Sequence, residues 1–75
     1  MMDGLVLVKT GVESIDSAVK EAKGVEGVLD AYPVFGRFDM VVLLEAKDFT
    51  SLMRTVVRVS ALTGVRSTET LIEGD

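Results

Sequence analysis

Cysteine, histidine, tryptophan, asparagine and glutamine are all missing from this 75-residue chain, and proline occurs once. Without cysteine no disulfide braces the fold, and without cysteine and histidine a zinc site of the usual ligand set is excluded. The commonest general base is missing too. Catalysis would fall to Asp, Glu, Lys, Arg, Ser, Thr or Tyr, and no nucleophile among them stands beside an evident base. The expectation is a protein that is not an enzyme and carries no cofactor or metal. Avoidance of the heat-labile Asn, Gln and Cys in a charged chain is also a weak sign of a thermophilic source.

Basic residues are in the minority. Lys and Arg number 8 against 12 Asp and Glu, for a net charge of -4 and a pI near 4.6. The basic residues do not cluster, so the chain lacks the basic face that a nucleic-acid binder presents. No apolar run approaches the roughly 18 residues of a membrane span, and the N-terminus has no basic segment leading into a signal-length apolar core. These absences describe a soluble cytoplasmic protein that touches neither nucleic acid nor membrane directly.

What is present is apolar for so short a chain: 48% of residues are hydrophobic, with a mean hydropathy of +0.39. Residues 1–75 form one small domain, of a size that buries only about 60% of the surface exposed when unfolded. Surface that the domain cannot bury by itself points to self-association.

The elements follow from periodicity. Leu5 to Val8 is a run of strand formers bounded by Gly4 and by Thr10-Gly11. Ile15, Ala18, Val19 and Ala22 then repeat at helical spacing. Thr10 with Glu13 offers a capping box, Asp16 and then Lys20 and Lys23 suit the helix dipole, and Gly24 supplies a stop. Val28 to Val34 reads as a strand holding Pro33, which places it at a sheet edge. The turn Phe35-Gly36-Arg37-Phe38-Asp39 leads into the strand Met40 to Leu44, making a hairpin. Asp48 N-caps a second helix through Phe49, Leu52, Met53, Val56 and Val57, ended by Gly64, and Ser67 to Ile72 is the last strand. Both halves carry a helix-ending glycine and a Gly-Val step, Gly27-Val28 and Gly64-Val65.

The order β-α-β-β-α-β predicts an α+β, ferredoxin-like fold: a four-stranded antiparallel sheet of order 4-1-3-2 with two helices on one face. The central strands Leu5 to Val8 and Met40 to Leu44 are apolar at successive positions and so on both sides. The helices cover one side. A second copy packed face to face, about 10 Å away, is the simplest cover for the other.

Three segments carry a resemblance to a known family: Phe35 to Asp39 with Met40 to Leu44; Ala46-Lys47-Asp48; and Gly64-Val65-Arg66-Ser67-Thr68-Glu69-Thr70. In that order and spacing they resemble the effector-binding (RAM, ACT-like) domain of the Lrp/AsnC transcription regulators, and with the first strand and helix the resemblance covers nearly the whole chain. It implies a stand-alone version without the helix-turn-helix half that binds DNA. It further implies dimers through the sheets, higher rings such as an octamer, and a free amino acid bound between dimers. The site residues carried over are Gly36, Arg37, Phe38 and Asp39 on the turn, with Ser67, Thr68 and Thr70 on the last strand. Joining a full-length regulator of the family is a further implied role.

The residue chemistry is compatible. Gly36 lets backbone approach a ligand without a Cβ, Asp39 accepts from an ammonium, the hydroxyls add donors, and Phe38 closes over a ligand side chain. Each residue also has a plain structural reading. Gly36 serves positive φ, Asp39 a local backbone acceptor, Arg37 a solvated charge, and the threonines strand propensity. Tyr32 and Phe35 read as packing residues, and Arg54 and Arg58, one helical turn apart with Lys47 nearby, as a solvated helix face. An oligomeric amino-acid-binding module is the leading reading. A passive oligomerisation domain without ligand is the alternative, and a small ferredoxin-like enzyme the remoter one.

Overall fold

The computed structural model describes residues 1–11 and 15–74. Six elements follow one another: β1 (Met2–Thr10), α1 (Ile15–Lys23), β2 (Val28–Pro33), β3 (Met40–Ala46), α2 (Phe49–Ser60) and β4 (Val65–Gly74). The strands form one antiparallel sheet in the order β2-β3-β1-β4. This is the ferredoxin-like α+β arrangement expected. Pro33 ends edge strand β2, where a missing N–H interrupts no interior ladder.

One core holds the sheet to both helices. Val6 and Val8 of β1, Met40, Val42 and Leu44 of β3, and Ala31 of β2 meet Ala18 and Ala22 of α1 and Leu52, Val56 and Val59 of α2. The buried Ala18 and Ala22 put small side chains on the inner face of α1, with the partly buried Ile15 and Val19 packed against the core beside them. In α2 the N-cap Asp48 is extended, with φ -151° and ψ 171°, and its carboxylate accepts from the Ser51 N–H at 2.8 Å. The capping box expected at α1 involves Glu13, which lies outside the described residues, and Thr10 is the last residue of β1. No helix among the described residues is long and apolar enough to cross a membrane.

The helix-to-strand corners use their glycines differently from expectation. Helix α1 does stop before Gly24, but the positive φ falls on Gly27, at 98°. Helix α2 stops at Ser60, capped by Ala61, and Gly64 takes a φ of 83° just before β4. Both corners close in the same way, Val28 N–H donating to Val25 C=O at 3.1 Å and Val65 N–H to Leu62 C=O at 3.2 Å. A tight turn with glycine at its third position requires that sign of φ.

The second face of the sheet carries no helix. Strand register places Leu43, Leu5 and Leu71 side by side across three strands on that face, with Val41 and Leu7 in the next row. Leu5, Leu7 and Leu43 are half-buried, while Leu71 keeps 57% of its surface exposed. Beyond the leucine row, Glu45, Asp3 and Glu73 stand opposite one another, and Lys9 occupies the far end of β1 on the same face.

Candidate functional site

The β2–β3 connection is tied down at both ends. Val34 N–H donates to Asp39 C=O at 3.0 Å across the turn, and Asp39 N–H donates to Val8 C=O at 2.8 Å. The Asp39 carboxylate then accepts from the Thr10 N–H through Oδ2 at 2.9 Å, and Lys9 Nζ donates to the Arg37 carbonyl at 3.3 Å. Asp39 therefore anchors the hairpin to the end of β1 with one oxygen, leaving the other as an acceptor. Between these anchors Gly36 takes a φ of 118°, with no other group within 4 Å of where a Cβ would stand. The backbone here is open to an incoming group as well as bent beyond the reach of most side chains.

The aromatic residues of this hairpin divide. Phe38 is half-buried, but Phe35, expected to pack, is fully exposed at 103% and Tyr32 is 42% exposed. Nothing in the chain itself accounts for an apolar ring held out at the tip.

The expected polar residues of β4 lie at the same end of the sheet, because Val8 pairs with both Met40 and Thr68. Thr68 and Thr70 stand opposite Val8 and Val6 on the helix side, and Thr68 Oγ1 lies 3.4 Å from Ser60 Oγ. Ser67 stands opposite Lys9, on the helix-free side. The structure thus gathers the turn and the start of β4 around the end of β1, with Thr70 deeper in the sheet and Ser67 on the other face. Gly11 N–H donates to Gly64 C=O at 2.7 Å, stitching the α2–β4 corner into this end, and Arg66 lies against Gly11.

Two cavities among the described residues lie elsewhere. One of about 330 Å³ sits on the helix-free face among Leu5, Leu43, Leu71, Asp3 and Glu73. The other, about 470 Å³, lies at the opposite end of the sheet from the turn, where the α1–β2 corner, the end of β3 and the first turns of α2 meet. Lys47, Arg54 and Arg58 line it together with Glu26, Glu45, Ser51 and Thr55. The sequence alone presents these three cations as a solvated helix face. They are indeed exposed, but around a concave surface. The carboxyl of Asp48, next to Lys47 in the chain, is held below the usual aspartate range, first by the hydrogen bond from Ser51 and then by the nearby charges of Lys47 and Arg54. The i, i+4 spacing of Arg54 and Arg58 is the available signal in the sequence, and the contribution of Glu26 and Gly27 from a distant corner leaves none.

With this geometry in place, residues 4–73 match the family model of the Lrp/AsnC ligand binding domain. Among solved structures, TTHA0845 from Thermus thermophilus is similar at 28% identity with a TM-score of 0.89, over 100% of this chain and 95% of that one. The hypothetical protein PHS023 from Pyrococcus horikoshii is similar at 20% identity with a TM-score of 0.88, over 97% of this chain and 89% of that one. A transcriptional regulator from Neisseria meningitidis, solved as a complex with L-Met, shares the fold at 12% identity with a TM-score of 0.78. There the match spans 99% of this chain but 50% of the regulator. No curated protein sequence matches the chain.

Proposed function

Given that the chain belongs to the Lrp/AsnC ligand-binding domain family, we propose that it is a cytoplasmic, oligomeric amino-acid-binding module whose ligand lies where the Gly36–Asp39 turn meets another copy. Domains of this family typically assemble into oligomers and bind effectors. The observation that carries the reading is the convergence of the turn with Thr68 around the end of β1, held by backbone hydrogen bonds and by the Asp39 carboxylate. An α-amino acid presents an ammonium and a carboxylate. The free oxygen of Asp39 suits the first, and the open backbone at Gly36 with the hydroxyl of Thr68 suits the second, while Thr70 lies deeper on the same face and Ser67 faces the side that a second copy would cover. Arg37 and Phe38 complete the turn. The exposed Phe35 marks the tip as a surface that a second chain covers.

The L-Met complex of the Neisseria regulator supports an amino acid as the ligand class. The helix-free sheet face supports the assembly. Its leucine row calls for an apolar partner, and a two-fold copy with antiparallel strands sets the Glu45, Asp3 and Glu73 row of one chain toward Lys9 of the other. Such a module acts by favouring one assembly state through differential affinity, alone or joined to a full-length regulator.

A thermal-shift series with the twenty amino acids at millimolar concentration tests the reading. A ligand at 100 times its Kd stabilises by about 2.7 kcal/mol, a shift on the order of 10–20 °C in Tm for a domain of this size. Asp39→Asn keeps an acceptor for Thr10 while removing the charge, so its own Tm should change little and its ligand response should be lost. No response to any amino acid sinks the proposal and leaves a passive oligomerisation domain, the reading that the apolar sheet face alone supports.

A further inference from the structure

We propose that the 470 Å³ cleft beside α2 is a second binding site, for a small zwitterion with a phosphoryl or carboxylate group at one end and an ammonium at the other. Its volume is within the usual range of ligand pockets, about 300–1,000 Å³. In a chain of net charge -4, three of the eight basic residues line this one cleft. Arg54 and Arg58 are neighbours on one helix face, and their planar guanidiniums match an oxyanion with paired hydrogen bonds.

The opposite charges in the cleft are what set the ligand class. Glu26 and Glu45 line the same walls, yet neither forms an ion pair with Lys47, Arg54 or Arg58 among the described residues, whose one ion pair is Lys23–Asp30. Asp48, the remaining carboxylate near the arginines, gives one oxygen to the Ser51 N–H as the helix cap and forms no ion pair among the described residues. Walls that carry both signs without joining them complement a molecule that carries both signs itself. A simple polyanion would meet repulsion from the two glutamates.

The walls are also fixed relative to one another before any ligand arrives. Thr55 is 6% exposed, and its hydroxyl lies 3.3 Å from the Glu26 carbonyl, binding α2 to the α1–β2 corner. Glu45 N–H donates to Gly27 C=O at 3.1 Å, joining the end of β3 to the same corner. A cleft stitched in this way loses little conformational freedom on binding.

Titration of the ¹⁵N-labelled chain by NMR tests the site with three probes: O-phosphoethanolamine, β-alanine and glycerol phosphate. Saturable shifts at Lys47, Arg54, Arg58 and Glu26, with at least tenfold tighter binding for one of the two zwitterions than for glycerol phosphate, are expected. Whichever zwitterion binds better identifies the oxyanion. The Arg54→Gln/Arg58→Gln variant, whose changes are both on exposed side chains, should keep a dispersed spectrum and lose the response. Equal or tighter binding of glycerol phosphate, no saturable shift, or a response that survives the double substitution overturns the proposal. The site is separable from the turn, because residues 36–39 at the other end of the sheet should not shift.

Discussion

At the scale of single residues, two glycines with positive φ have different reasons for being glycine. Gly36 has open space around it, whereas a Cβ on Gly27 would collide with the Thr55 hydroxyl. Gly36→Ala should therefore cost only backbone strain, about 1 kcal/mol. Gly27→Ala adds overpacking against buried Thr55 and should cost about 3 kcal/mol, both measured by urea unfolding. If the two variants lose equal stability, the close approach at Gly27 carries no energetic weight. Asp39 also shows where residue type stops being informative. A carboxylate beside a turn fits a backbone acceptor or a ligand acceptor equally well on paper. Only the folded chain shows that one oxygen is taken by Thr10, 29 residues away in sequence.

At the scale of elements, α2 owes its start to Asp48. The carboxyl of Asp48 is lowered below its ordinary value, so its contribution is complete above the unfolded value near pH 4 and is lost as pH falls through the folded value. Asp48→Ala should lower Tm at neutral pH, and the gap from the parent protein should shrink as the solution is acidified through that range. A gap that stays constant down to pH 2 would mean that the charge and its hydrogen bond to Ser51 do not support the helix. The helices and the hairpin were legible from the sequence because apolar periodicity and capping are local. Strand ends were less so. Gly4 discourages a strand, yet β1 continues through it to Met2, because pairing with β3 and β4 on both sides holds it in place. Likewise α2 stops at Ser60, short of Gly64, since the corner into β4 takes up the residues between.

At the scale of the whole molecule, the topology and the uncovered sheet face were legible, because apolar residues at successive positions in Leu5 to Val8 and Met40 to Leu44 require cover on two sides. The turn and the start of β4 were legible as separate motifs. Their meeting at the end of β1, and the cleft assembled from three separated segments, depend on register and corner geometry that no local pattern records. Leu71→Lys probes the uncovered face directly. The residue is 57% exposed in the single chain, so its replacement should leave the fold intact while removing about 2 kcal/mol from each side of a face-to-face dimer. Sedimentation velocity should show a monomer with an unchanged circular dichroism spectrum, and an unaltered dimer would place the interface elsewhere. The position of β1 has one more consequence, for the newborn chain. Of the four strands it is made before the other three, and its neighbours β3 and β4 both follow it. Until residues 65–74 emerge, the future centre of the sheet has an unpaired edge, so synthesis itself is the interval in which this protein is most open to aggregation.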